Sequence, residues 1–357
     1  MNMQAMSARS NVAANPAVTA VTLSDAAALA RIDAFVREHP DGQVFQRPAW
    51  LQAVARGCGQ DGLYLIAETR GRLDGIVPVT QMRSRLFGKA LVSSAFGVGG
   101  GIAGTDQAAA ALSGAIIAHA AIQGFPSIEL RGGTAPVGEW QVEDGAHANF
   151  ARDLAADDEA ELLAIPRKQR AEVRRAIGFG LEVETGRDRR DREAHYAIYA
   201  ASVRNLGTPV FPRRLFEAML DGFGDDAEVL TIRRKGVALA SVLSFRHGGT
   251  IMPFWGGGTA EARTWRANDA MYWELMKHAR RTGCTRLDFG RSKVGSGAYG
   301  FKKNWGFAPE PVRYWTHGGK RAVSPNDARY QRKIELWKKL PLPVANVLGP
   351  LISRGLG

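Results

Sequence analysis

The sequence predicts a mixed protein of the α/β or α+β class, in which one unit of strands and a helix is built twice. Short runs rich in Val, Ile, Leu and Phe are separated by turn chemistry such as "TRGRLDG" and "RRKG". Each group of runs leads through a glycine-rich loop into helical periodicity and then a last short strand. The order occurs twice in units of similar length, and 357 residues suffice for two domains.

In the first unit, Leu63 to Glu68 and Ile76 to Met82 read as a hairpin, followed by the loop "FGVGGGIAG". A helix over Ala108–Gln123 is stopped by Gly124 and Pro126, and "SIEL" closes the unit before "RGG". Its apolar run is too short to span a bilayer, so it reads as a buried helix. In the second unit, strands are expected at Glu228 to Ile232, Val237 to Phe245 and Thr250 to Trp255. The loop "GGGTAEARTW" leads to a helix from Asn268 to Arg281, stopped by Gly283, and "RLDF" is the closing strand. Between the units, Asp157 to Glu161 reads as a solvated helix start. Arg167, Arg170 and Arg174 follow at spacings that put them on one face of a basic helix. Expected boundaries are a disordered lead-in over 1–20, domains over 21–150 and 151–318, and a tail over 319–357.

A net charge of +12 points to an anionic partner: nucleic acid, a phosphorylated substrate or a membrane surface. The tail contributes half of it, with eight Lys and Arg against Asp327 and Glu335. Its run "LPLPVANVLGPLISRGLG" has two readings, an interfacial membrane contact or packing on its own domain; its prolines exclude one continuous amphipathic helix. Cys58 and Cys284 lack CxxC spacing, and no HExxH pattern is present, so neither a disulfide framework nor a metal site is expected. The N-terminus lacks the apolar core of a signal peptide. A cytoplasmic setting is expected, with a peripheral position at the inner face of the membrane as a variant of it.

The densest chemistry lies in "DFGRSKVGSGAYGFKKNWGF", Asp288 to Phe307. "GSGAYG" matches GxGxxG, but Gly306 interrupts any long helix after it and no acid stands at the expected distance, so a dinucleotide fold is rejected. "DFG" without an HRD-type loop is not a kinase, and no P-loop is present. What remains is a glycine loop, with Gly295 and Gly297, running into a short helix in which Lys302 and Lys303 are expected just after the N-terminal end. Such a loop offers backbone N–H groups to an anion. Arg291 and Lys293 are candidates to hold phosphate, and Lys302, then Lys303, to stabilise an oxyanion. Asp288 is a candidate proton acceptor or a loop cap, and Tyr299 an oxyanion donor or a core residue. Asn268 is read first as a helix cap and second as a substrate contact. No Ser-His-Asp or Cys-His order favours a covalent intermediate.

These segments, with "IPRKQRAEVRRA", "RNLGTPVFP", "FWGGGTAEAR" and "NDAMYWELMKHA", resemble the FemAB-type transferases. More narrowly they resemble the branch associated with exosortase/PEP-CTERM exopolysaccharide loci. The resemblance covers about residues 40–318, and the tail is similar to that branch as well. It implies two tandem GNAT-like acyltransferase domains. The best understood members move an amino acid from aminoacyl-tRNA to an amine of a peptidoglycan precursor. The family "FK" matches Phe301–Lys302, which implies that Lys302 meets the donor phosphate or the developing oxyanion. The helical-hairpin insertion of some tRNA-using members is missing, so the donor stays open between aminoacyl-tRNA and an acyl-CoA or carrier thioester. The resemblance implies no tightly bound cofactor, a cell-envelope or exopolysaccharide precursor as acceptor, and no DNA partner. The readings from other classes are a non-catalytic nucleic-acid-binding protein, resting on the charge and the basic helix, and a membrane-surface scaffold, resting on the tail.

Overall fold

The structure, a computed structural model, describes residues 15–319 and 331–357. In the first half β1 (Ala17–Thr22) is followed by α1 (Ala26–Glu38) and α2 (Pro48–Cys58). Asp25 caps α1 by accepting from the Ala28 amide, and Leu29, Ile32 and Val36 form its inner stripe. Pro48 opens α2 and Gly59, in the left-handed region, ends it. Then come β2 (Gly62–Thr69), β3 (Arg72–Ser84), β4 (Gly88–Val92), β5 (Ala103–Gly104), α3 (Asp106–Gln123) and β6 (Ser127–Arg131). The connecting segment forms β7 (Gln141–Glu143), β8 (His147–Asn149), β9 (Ala151–Asp153), α4 (Asp158–Ala164) and α5 (Arg167–Gly178).

The second half repeats the order. It runs β10 (Glu182–Gly186), α6 (Arg189–Leu206), α7 (Arg213–Phe223), β11 (Ala227–Arg234), β12 (Val237–His247), β13 (Thr250–Gly258), α8 (Ala267–Arg281) and β14 (Arg286–Asp288). After it lie β15 (Ser292–Lys293), α9 (Gly297–Asn304), β16 (Glu310–Pro311), β17 (Tyr314–Gly318), α10 (Gln331–Lys339) and α11 (Leu342–Ser353). The duplication is therefore one of topology: β1-β2-β3-β4-β6 matches β10-β11-β12-β13-β14, each antiparallel until a final parallel pair.

The halves exchange strands. After β6 the chain crosses to place β9 beside β14, and after β14 it crosses back to place β17 between β6 and β7. The strand Tyr314–Gly318, inside the span expected for the second domain, is thus hydrogen-bonded into the first sheet. A small sheet, β15-β8-β16, ties the two crossings together. One hydrophobic core joins the halves. Trp50 of α2, fully buried, packs on Phe223, Phe245, Phe254 and Trp255 with ring centroids 5.3–6.3 Å apart. Beside it Arg47 is nearly buried and pairs with Asp33 of the first half and Asp226 of the second, at 2.8 Å each.

Several expectations are corrected here. Ala17–Ala20, expected in a disordered lead-in, belong to β1; residues 1–14 of that lead-in lie outside the described residues. The helix α3 is buried on one side only, with Ile122 79% exposed. Asp157 does cap α4, but Glu161 is not solvated: it is fully buried, bound by Arg152 and the Ala155 amide. The described residues of the tail form two helices separated at Leu340–Pro341, and they pack on α6 and the segment after it: Arg204 Nη1 donates to Lys338 O and Ser353 Oγ to Val210 O. Among the described residues no helix is long and apolar enough to cross a membrane.

Candidate active site

The strand β13 creates the site by leaving its partner. It pairs with β14 only at Thr250 and Ile251. Next comes Pro253, which has no N–H for a ladder. The register against β12 then slips at Phe254, where an extra residue bends the strand. Beyond this point β13 and β14 part, and the wedge between them holds a cavity of about 280 Å³. Pro253 to Gly256 form one wall and Phe289 to Arg291 the other, while Phe96 and Val98 of the first half close it. The helix α9 lies along it, presenting Ala298, Phe301 and Lys302, a single face at i, i+3 and i+4.

Lys302 is held rather than free. Its Nζ donates to Gly290 O at 2.9 Å and Arg291 O at 3.1 Å, and stands 5.5 Å from the centre of the Phe150 ring. Burial lowers its pKa to about 8 from the ordinary 10.5; Asp288 opposes the shift and Arg291 adds to it. An ammonium has three donors. Two are used by the carbonyls, which leaves one for the cavity. The carbonyls are aimed by the "DFG" turn: Gly290 takes a positive φ of 68°, and its amide donates to Asp288 Oδ1 at 2.7 Å.

A second cavity, about 440 Å³, adjoins the first across Gly256, Tyr272 and Phe301, which line both. It lies where β13 runs through Gly256–Gly258 towards the start of α8. Arg263 and the backbone of Thr259 and Ala260 border it. A fifteen-residue helix begins here, so its free N–H groups favour an anion. Asn268 lines this cavity; its Oδ1 is buried without a hydrogen-bond partner. It does not cap α8, because the helix starts at Ala267, behind Arg266 at φ 52°.

The third cavity, about 250 Å³, opens on the other side of Arg291 between the two halves. Asp288, Asn149, His247, Gln43, Thr250 and Arg291 are its polar lining. Burial pushes the Asp288 carboxyl up, against the Gly290 amide, Asn149 and Lys302. Arg291 separates this cavity from the Lys302 cavity and lines both. Its Nη1 donates to the Tyr314 hydroxyl at 2.7 Å, which donates to Val98 O at 2.9 Å, so the second half's loop is tied to the first sheet. Nearby His147 is driven down to about 4 by burial, and next by the positive field of Arg291, Lys293 and Arg131.

The structure therefore brings Lys302, Arg291 and Asp288 together and places Asn268 in the adjoining cavity. It does not bring in the rest. Lys302 and Lys303 stand in the last turn of α9, not near its N-terminus as the sequence suggested. Lys303 points outward over the Tyr299 ring, and Tyr299 packs edge-on against Phe150. Lys293, Gly295 and Gly297 are exposed and border none of these three cavities. Ser296, between those glycines, caps α9. Arg167 and Arg174 are exposed on α5, and Arg170 donates to Leu163 O. The residues that sequence reasoning passed over are Gly256–Gly258 and Arg263. Their signal was present in "GGGTAEAR": glycines leaving a strand, then an arginine, then a helix start. Among the described residues no three His, Cys, Asp or Glu side chains are grouped to hold a metal.

With this geometry in view, comparison with known proteins gives a consistent picture. The acetyltransferase (GNAT) domain family matches residues 166–303. The chain is similar to the crystal structure of FemX, at 16% identity over 80% of this chain and 95% of that one, with a TM-score of 0.62. It is similar to the C-terminal domain of a putative lysylphosphatidylglycerol synthetase from Agrobacterium fabrum, at 13% identity over 83% and 93%, with a TM-score of 0.55. It is also similar to a tandem GNAT protein from the clavulanic acid biosynthesis pathway, at 12% identity over 87% and 99%, with a TM-score of 0.51. No curated protein matches in sequence. The chain is built of two GNAT-like domains in a FemAB-like fold.

Proposed function

We propose that the protein is a transferase that moves an acyl or aminoacyl group from a phosphate-bearing activated donor to an amine. One observation carries this reading: the cleft at the start of α8 adjoins a second cavity into which a held lysine ammonium projects. The domain family and the structural neighbours support it.

The donor's phosphates sit at Gly256–Gly258, Arg263 and the α8 N-terminus. Its carbonyl passes between Tyr272 and Phe301 into the Lys302 cavity. The amine attacks, the carbonyl oxygen becomes an oxyanion, and the third Lys302 donor meets it. A donor placed where charge develops acts in the transition state more than in the ground state. The acceptor arrives from the third cavity, where Asp288 takes the amine proton directly or through water. Arg291, between the two cavities, positions both substrates. Collapse of the intermediate expels the carrier and leaves an amide.

The carrier is a tRNA or an acyl thioester. Exposed Arg167 and Arg174 suit the larger carrier, because α5 lies beside the donor cleft: Glu172 of α5 pairs with Arg266 at 2.7 Å. The acceptor is an amine on a cell-envelope or exopolysaccharide precursor. The association with exosortase/PEP-CTERM loci rests on the sequence motifs alone. The test is amide formation on a panel of amines, supplied in parallel with aminoacyl-tRNA, acyl-CoA and acyl-carrier thioester. Transfer from one donor class supports the reading and names the carrier. No transfer from any of them, with donor binding also absent, rejects it.

A further inference from the structure

The helix α11 is packed inside out. Its buried residues are the small Ala345, Gly349 and Ser353, at i, i+4 and i+8. Its outer face carries Val344, Val347, Leu348 and Leu351, which are 42%, 68%, 41% and 58% exposed. Their spacing of i, i+3, i+4 and i+7 makes one continuous apolar stripe facing solvent. A helix held to a protein core by large aliphatics would show the opposite arrangement. Leu336 of α10 adds a further exposed aliphatic, at 66%.

Charge identifies what covers the stripe. From Leu336 to Gly357 the chain has no acidic residue and carries Lys338, Lys339 and Arg354. At the far end of α11, Gly355 packs against Ser84 and Phe87, so the β3–β4 turn stands beside it. That turn exposes Leu86 between Arg85 and Gly88–Lys89. Glu335 of α10 is the nearest acid and is paired with Lys338 at 2.7 Å, so the remaining aliphatics stand among Lys339, Arg354, Arg85 and Lys89, which complement an anionic lipid surface. The helix has twelve residues, too few to span a bilayer, and Pro350 lies within it.

We propose that α11 lies in the interface of an anionic membrane, its aliphatic stripe among the acyl chains and its flanking lysines and arginines at the headgroups. This docking also orients the donor cleft. Leu206 lines that cleft, is 70% exposed, and is followed by Gly207, which touches Ile334 of α10. The rim of the cleft therefore lies next to the docked helices, within reach of a substrate that carries a lipid anchor. Membrane binding itself does not depend on the transferase reading.

The experiment is vesicle flotation with the full chain at low salt. Vesicles are pure phosphatidylcholine, or phosphatidylcholine with about one-third phosphatidylglycerol. Wild type should float with the anionic vesicles and bind the neutral ones at least about tenfold more weakly. Val347→Glu with Leu351→Glu, both on the exposed face, should cut anionic binding by about tenfold or more while circular dichroism stays native. Lys339→Glu should remove most of the preference for phosphatidylglycerol and leave the fold untouched. Lys302→Met should bind vesicles as wild type does, which separates this proposal from the catalytic one. Wild type that stays unbound at low salt, or a double variant that floats like wild type, overturns the proposal. A dimer that the double variant dissolves, without vesicle binding, overturns it also and assigns the stripe to a second copy.

Discussion

Lys302 sits where its charge is costly, and that cost is measurable. The folded protein holds its pKa at about 8, below the ordinary 10.5. Between those values the unfolded chain binds a proton that the native state does not. Stability therefore rises with pH across the window, and below pH 8 the charged lysine is a net penalty. Relative to a Lys302→Met variant, wild type should gain up to about 3 kcal/mol between pH 8 and pH 10.5, read from denaturant midpoints. A flat difference across the window would mean that Nζ is as well solvated as any surface lysine. The methionine keeps the stem's packing but leaves Gly290 O and Arg291 O without that donor. A charge kept in place at this cost, on a side chain that lines a cavity and has used two of its three donors, is what the proposed oxyanion partner requires.

At the scale of elements, the parting of β13 from β14 matters more than the motif after it. The glycines and Arg263 of the β13–α8 connection line the cleft proposed for the donor. A Cβ on Gly258 would come within 2.6 Å of Asn268 Oδ1 and 2.9 Å of the Ala262 Cβ. Gly258→Val should therefore narrow the cleft. Arg263→Glu, at an exposed side chain, should raise the donor KM by about tenfold or more with kcat little changed, since it removes binding rather than chemistry. Saturation curves against donor check this; unchanged donor KM would move the phosphates elsewhere. The hairpin strands, the helices α3 and α8 and the closing strands were legible because their periodicity and turn residues agree, whereas the opening strand and helix pair of each unit, β1-α1-α2 and β10-α6-α7, were passed over. The strand β4 was passed over because "GKALV" is five residues bounded by a turn. Lys302 and Arg291 were legible because charge beside glycines is conspicuous. The cleft was not, because what marks it is a run of glycines and a helix start rather than a cluster of charged side chains. Sequence spacing also placed Lys302 and Lys303 together, although one faces the cavity and the other faces out. Phase around a short helix needs its start, and Ser296 sets that start.

For the whole molecule, strand exchange and a shared core make the two GNAT-like domains one folding unit. Trp50 and Arg47 both belong to the first half and both reach into the second: Trp50 packs on Phe245 and Trp255, and Arg47 pairs with Asp226 and stands over the Phe223 ring. Unfolding should therefore show one calorimetric transition, and two resolved transitions would contradict the shared core. Arg47→Met leaves Asp33 and Asp226 without their buried partner. Because Arg37 still pairs with both partly exposed carboxylates, the loss of stability should be about 2 kcal/mol, seen as a lower midpoint of that same transition. The arrangement also places the Lys302 cavity at the junction. Phe96 and Val98 from one half, and β13, α9 and the turn after β14 from the other, close the Lys302 cavity together.

The central claim is that Lys302 stabilises the oxyanion of an acyl transfer to an amine. Its most direct test is kcat for amide formation by wild type and Lys302→Met at pH 7, at saturating donor and acceptor. The account predicts a fall of about 10²–10³-fold with KM for the donor within a few-fold of wild type. A variant that keeps wild-type kcat, correctly folded, would contradict it.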